Sequence, residues 1–258
     1  MNITVCLKPT IDPTQLKPSR ETLEPLIDQA PRKNGDFDLN ALEEAVRLRE
    51  KHGAKVTVVS VTSAETDTLL FREALAVGAD ELYYVVDPYF KNPDGLATTQ
   101  VLDAIIRKAG KPDLILCGEA STDDSSYQVG PRLAEALQIP IITHVSKMEV
   151  KDGVVTAEKL LEGNIQVISC PLPAVVTVGL EINTPRLPSL LMIRAASRKP
   201  MTKFAITDLG ITSIQHGVDT LLVKAMKVER KKQILEGPPN ELADKLVQTL
   251  LQERVLRL

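Results

Sequence analysis

Apolar positions along the first two-thirds of the chain fall into two alternating rhythms. Short β-branched runs at residues 3–8, 55–61, 81–86, 113–117 and 141–145 fit strands buried on both faces. Between them, apolar residues recur three or four apart, the spacing of one helix face. In residues 38–52 that stripe is Leu39, Leu42, Ala45, Val46 and the stem of Arg49, which leaves Glu43 and Glu44 to face outward, and Gly53 follows as a stop. A second helix opens at Ser63 or Ala64, buries Leu69, Leu70, Ala74, Leu75 and Val77, and ends at Gly78. A third covers residues 94–109 with Leu96, Val101, Leu102, Ile105 and Ile106 inward, and a fourth covers 128–137. Repeated strand–helix units of this length predict an α/β fold: a parallel sheet covered on both faces.

The rhythm changes after residue 145. Residues 146–155 alternate apolar and polar about the turn Lys151-Asp152-Gly153, which predicts a β-hairpin extension near 146–170. Two further strands, at 167–169 and 174–178, are separated by Pro171 and Pro173. Residues 183–203 lose regular periodicity, with Pro185, Pro188 and Pro200 among Arg186, Arg194, Arg198 and Lys199. Core signals stay sparse until a last helix at 240–256, with Asn240 as its expected cap and Leu242, Leu246, Leu250 and Leu251 as its stripe; Arg230-Lys231-Lys232 precedes it. Residues 185–239 are too many for an internal loop and too sparse in core signals for a separate core. They are either a flexible tail or an arm that orders against another subunit, and the amphipathic last helix favours the arm. The organisation read from this is an α/β domain at 1–183, a linking region at 184–203 and a C-terminal arm at 204–258.

Composition narrows the function. With 31 basic and 34 acidic residues and a net charge of −3, no basic excess invites nucleic acid. Aromatic residues make up 3% with no Trp, which leaves no platform for stacking bases. No apolar run approaches the roughly 20 residues of a membrane span. The N-terminus reads as a strand rather than a signal peptide, so a soluble cytoplasmic protein, or its organellar equivalent, is expected. Cys6, Cys117 and Cys170 are widely spaced and have no metal-binding pattern; they read as small buried side chains in a reducing compartment. His52, His144 and His216 are scattered.

Several fingerprints are missing: GxGxxG, the P-loop, GxSxG and HExxH. No catalytic constellation is visible. The richest segment is Gly118-Glu119-Ala120-Ser121-Thr122-Asp123-Asp124-Ser125-Ser126-Tyr127-Gln128-Val129-Gly130-Pro131. It joins a buried strand to a helix at the carboxyl end of a parallel sheet, where such folds bind ligands. Its small hydroxyl residues and the following helix N-terminus suit a phosphate held by backbone amides. The alternative is a solvated loop in which Asp123 or Ser126 caps the helix. Asp12 is a catalytic carboxylate or, more simply, a turn residue. Lys8 either meets a phosphate or snorkels at the strand edge.

Taken together, these segments resemble the β subunit of electron transfer flavoproteins. The resemblance is carried by Val5-Cys6-Leu7-Lys8, by the run from Phe37-Asp38-Leu39-Asn40 to Val46-Arg47-Leu48, and by Ala74-Leu75-Ala76-Val77-Gly78-Ala79-Asp80. The segment 118–131 and Leu172-Pro173-Ala174-Val175-Val176-Thr177, leading to Asn183-Thr184-Pro185-Arg186, complete it. The resemblance implies a Rossmann-like, adenine nucleotide α-hydrolase-like three-layer domain. It implies pairing with an α subunit that holds most of an FAD. Electrons would come from acyl-CoA or other dehydrogenases and pass to a quinone reductase or another acceptor, with no catalytic residue in this chain. It also implies a second adenine nucleotide, AMP or FAD, within this subunit. Cys6 and Val61 would line the adenine pocket, Gly35, Asp36, Phe37 and Asp38 would sit beside it, Lys8 would lie near, and residues 118–130 would wrap the phosphates. Residues 185–196 match a partner-recognition loop, with Leu190 as the inserting leucine and Arg186, Ile193 and Arg194 around it; residues 204–258 match the arm that packs on the α subunit. Tyr127-Gln128-Val129-Gly130 looks more like the bifurcating or anaerobic branch, which puts FAD ahead of AMP. The alternative from another class is a stand-alone adenine-nucleotide-binding module, a stress-type sensor or adenylating enzyme, although the glycine-rich or SGGxDS-like loop such proteins carry is absent.

Overall fold

The computed structural model describes residues 1–226 and 232–256. Arg230 and Lys231 of the basic run lie outside the described residues. The centre is a nine-stranded sheet in the order β11-β5-β4-β1-β6-β10-β7-β8-β9. Strands β1 (Asn2–Cys6), β4 (Lys55–Thr62), β5 (Glu81–Val86), β6 (Leu114–Gly118), β10 (Ala174–Val178), β11 (Met201–Phe204) and the first part of β7 (Ile141–Lys151) pair in parallel. A ribbon of β2 (Pro9–Ile11) and β3 (Arg32–Asn34) stands apart from the sheet.

Helices α1 (Asp36–His52), α2 (Thr68–Val77) and α5 (Leu190–Ala196) cover one face, and α3 (Gly95–Ala109) and α4 (Val129–Leu137) the other. The pleat divides the core accordingly. Val5, Leu116 and Val176 point to the first layer, with Leu42 and Phe71, whereas Cys6, Ile115 and Val175 point to the second, with Ile105 and Leu133. The three-layer α/β fold expected from the alternation is the fold observed. Gly53 ends α1 in the left-handed region at φ 67°, a conformation glycine adopts without strain.

Several local expectations are corrected. Glu43 and Glu44 do not face solvent; both are buried, because Arg186 and Asn183, some 140 residues away, supply partners. Leu69 is 70% exposed, since a short 3-10 turn at Glu65–Asp67 delays α2 to Thr68 and rotates Leu69 out of the interface. Residues 183–203, aperiodic in sequence, form α5 and the edge strand β11, which pairs with β5 through backbone bonds that side-chain pattern does not reveal. The hairpin extension has three strands: β7 runs on to Lys151, then β8 (Val154–Leu161) and β9 (Asn164–Pro171) pair antiparallel. Asn240 does not cap the last helix, α6 (Pro239–Gln252), which starts earlier because Pro239 is preset for the first turn.

Candidate functional site

The parallel strands end on one side of the sheet. From the central pair, β1 leads on toward β4 and β6 leads on toward α4 and β7, so the connections part between them. A crevice at such a switch point is the ligand position of open α/β sheets. Here it holds a cavity of about 770 Å³, its open mouth included. Cys6 and Cys117 form its floor.

Asp38, near the start of α1, fastens this floor. Its carboxylate accepts the Lys8 N–H at 2.7 Å and the Gly118 N–H at 3.2 Å, joining the exits of β1 and β6. Burial pushes its pKa up to about 7 against the pull of those two amides. The packing leaves no room for side chains at two glycines. A Cβ at Gly118 would lie 2.6 Å from Asp38 Oδ1 and from Phe37 Cβ, and one at Gly35 would lie 2.9 Å from Asp38 Oδ2.

The loop 118–130 forms the wall. Lys8 Nζ donates to Asp123 at 2.7 Å and to Ser121 Oγ at 3.2 Å. Burial works against the Asp123 charge, but the Lys8 ammonium prevails and holds it below the usual carboxylate range. Ser125 (φ 51°) and Tyr127 (φ 57°) take the left-handed region, which costs non-glycine residues about 1–3 kcal/mol each and clusters at functional loops. The loop ends at α4, whose cap position, Gln128, makes no side-chain capping bond. Neither Asp123 nor Ser126 caps the helix. Its first amides therefore lack a protein partner from a cap, and the residues that carry them line the cavity. Gly130 lets this helix start press on Thr177 of β10; any Cβ there would collide with the threonine methyl.

Most of the sequence-predicted residues converge here. Cys6, Lys8, Asp38, Val61, Gly118, Glu119, Ala120, Ser121, Asp124, Ser126, Tyr127, Gln128, Val129 and Gly130 all line the cavity. Gly35 and Phe37 stand behind Asp38, and Asp36 is turned to Lys33 at 2.8 Å. Thr122 faces Thr10, Ser125 bonds back to Ser121, and Asp123 reaches a second cavity that adjoins the first at Lys8, Val61 and Pro93. Asp12 is a turn residue: it accepts from Thr14 N–H and Oγ1 and from Gln15, bonds that hold its carboxyl below the usual range.

Sequence reasoning missed the far wall. Asp94 caps α3 through Ala97 N–H at 2.7 Å and also accepts the N–H groups of Gly217 and Val218, bringing the later chain to the rim. An Asp two residues before the first apolar helix position was the available signal. His144, left-handed at φ 56°, bonds Glu119 at 2.9 Å beneath the Tyr127 ring; no local pattern marks that contact.

The predicted docking residues separate into two kinds. Leu190 on α5 is 85% exposed, with Ile193 and Arg194 also exposed. Arg186 is held inside the chain: it donates to Glu43 at 2.8 Å and to Glu50 at 2.6 Å, so it is not a free cation for a partner. Beside it, Asn40 and Asn183 each donate to the other's backbone carbonyl, at 2.7 and 3.0 Å. Lys199 is likewise held, donating to the carbonyls of Leu75 and Ala79 at the end of α2.

Comparison with known proteins settles the family. The electron transfer flavoprotein domain matches residues 26–209. A protein of Thermoanaerobacterium thermosaccharolyticum named electron transfer flavoprotein subunit beta is 34% identical over 99% of this chain and 100% of its own. Subunits of the same name are 36% identical in Bacillus subtilis, over 98% of each chain, and 33% identical in Clostridium acetobutylicum, over 99% of this chain and 100% of that one. The chain belongs to the electron transfer flavoprotein β-subunit family. Membership gives it an electron-transfer role as a flavoprotein β subunit. Among the described residues, no group of three or more His, Cys, Asp or Glu is placed to hold a metal, and no helix is long and apolar enough to cross a membrane.

Proposed function

We propose that this chain pairs with an electron transfer flavoprotein α subunit, shares an FAD with it, and helps pass electrons from acyl-CoA or other dehydrogenases to a quinone reductase or another acceptor. The observation that carries the reading is the cavity between β1 and β6, walled by an uncapped helix start and a loop of small residues. That chemistry suits a second adenine nucleotide, AMP or FAD. In this reading Cys6 and Val61 flank the adenine, Asp38 and its neighbours Gly35, Asp36 and Phe37 shape the entrance, and the amides of 118–130 hold phosphate. When bound, flavin supplies the redox chemistry; this chain's residues bind, orient and exclude water. Leu190, Ile193 and Arg194 present an apolar anchor with a basic neighbour, the composition of a small docking hot spot. The exposed apolar residues after 204 fit an arm on the α subunit. The reading assigns the complex to the cytoplasm, in keeping with three free cysteines.

Co-expression with an α subunit tests this. A yellow 1:1 complex reduced by an acyl-CoA dehydrogenase system is the expected result, and a stable colourless monomer indifferent to any α subunit would overturn it. Extracted nucleotides then decide the subtype. Two flavins per dimer support the bifurcating type that the Gln128-Val129-Gly130-Pro131 loop resembles, and one FAD with one AMP excludes it.

A further inference from the structure

Two thiols stand side by side in the cavity floor, and the electron-carrier reading gives them no role as a pair. Strands β1 and β6 run parallel with Val5 opposite Leu116. One residue further, Cys6 therefore stands opposite Cys117. Side chains alternate along a strand, so both thiols point to the same layer while Val5 and Leu116 point to the other. Neighbouring strands lie about 4.8 Å apart, inside the roughly 4.4–6.8 Å span of Cα atoms that disulfides bridge. Both residues are buried, at 6% and 3% exposure, yet both reach the cavity wall. The third cysteine, Cys170 on β9, is distant in the sheet order and half-buried.

We propose that Cys6 and Cys117 are a dithiol that forms a reversible disulfide and thereby closes the nucleotide cavity to its ligand. The oxidant class is a hydroperoxide, small enough to enter the open mouth. One thiol, as its thiolate, attacks the peroxide oxygen, giving a sulfenic acid and releasing water once the oxygen lost is protonated. The second thiol attacks that sulfur, the S–S bond forms, and a second water leaves. Two thiols and one hydrogen peroxide thus give one disulfide and two waters. The hydrogen-bonded Cys117 thiol and then burial push the Cys6 pKa up. Cys6 accordingly rests as a thiol at neutral pH, and its attack on peroxide quickens as pH rises. Bonding shortens the S–S separation to about 2.05 Å. It draws in the strand ends next to Lys8 and Gly118, the two amides that Asp38 holds. A disulfide between adjacent strands is strained, and strained disulfides are the ones readily reduced again.

The coupling to ligand rests on the nucleotide reading, and the test separates the two. The full chain, purified with its α subunit, is treated with hydrogen peroxide and digested without reduction for mass spectrometry. The expected product is one linked peptide pair carrying Cys6 and Cys117, two hydrogens lighter and reversed by dithiothreitol. Saturating AMP slows its formation by about tenfold or more, and oxidation lowers AMP affinity by about tenfold or more, a loss of at least ~1.4 kcal/mol. The Cys170→Ser variant retains the linked pair; in Cys117→Ser and Cys117→Ala, peroxide no longer changes AMP affinity. Absence of the linked pair, or oxidation confined to Cys170, overturns the proposal. A linked pair forming equally fast with bound AMP overturns the coupling. A linked pair in a protein that binds neither AMP nor FAD sinks the nucleotide reading and upholds the dithiol.

Discussion

The sheet body and the chain after Phe204 carry apolar side chains in comparable supply and use them in opposite ways. In the body, Leu116, Ile115, Val175 and Val176 are fully buried between paired strands and helices. Beyond it, Ile206, Leu209, Ile211 and Ile214 still lean on the layer around α3, but Leu221, Met226 and Ile234 are 94%, 87% and 81% exposed, and α6 buries none of its residues. The fastenings of this later segment are few and polar, such as Gln100 to Ser213 and Gln215, Asp94 to Gly217 and Val218, and Ala225 N–H to Leu23. Composition alone does not distinguish a core from a surface awaiting cover; a place to be buried does.

That contrast breaks if truncation costs the same in both regions. Leu116→Ala should lower unfolding free energy by about 2–5 kcal/mol. Leu221→Ala should stay within about 0.5 kcal/mol in the chain alone and instead weaken its association with the α subunit. Urea denaturation and a binding titration on each variant measure the difference, and equal stability losses would erase the distinction.

A second expectation uses the charge held inside the body. The Asp38 folded pKa of about 7 lies above its unfolded value of roughly 3.9. The folded state therefore binds the extra proton between these values, and stability from this group is present at low pH and lost as pH rises through 7. The loss is about 4 kcal/mol at most. Asp38→Asn should flatten that part of the stability–pH curve; an unchanged slope between pH 4 and 7 would show that Asp38 ionises freely.

Smaller still is the effect at the base of the proposed docking segment. Arg186→Ala leaves Glu43 with Arg47 alone and Glu50 with no bond to Arg186, and should cost about 1–3 kcal/mol, with faster hydrogen exchange in residues 184–198. Leu190→Ala should change stability by less than about 0.5 kcal/mol while slowing electron acceptance from a dehydrogenase. If Leu190→Ala destabilised the chain more than Arg186→Ala, the division between a fixed base and a free anchor would fail.

The body was legible because each parallel unit states itself locally: residues 55–61 and 81–86 are apolar runs bounded by turns, and the loop 118–131 follows a buried strand with small hydroxyl residues. What escaped depends on distant partners. Glu43 and Glu44 look like solvent positions until Arg186 and Asn183 arrive. The strand β11 joins the sheet by backbone bonds to β5, with Thr202 and Lys203 exposed on a polar edge. Asp94 belongs to the site only because the switch point brings the start of α3 against the loop after β6.

Helix α1 has one further consequence. Asp38 near its start is fixed to the cavity floor, and Asn40, Glu43 and Glu50 along its length are fixed to Asn183 and Arg186, the base of the proposed docking segment. At about 1.5 Å per residue, the helix is a rigid ruler some 18 Å long from the first of these contacts to the last. In the proposed docking, a partner on Leu190 is held at a gauge set by a count of residues, and lengthening α1 by a single turn would move that mark by about 5 Å without touching either site.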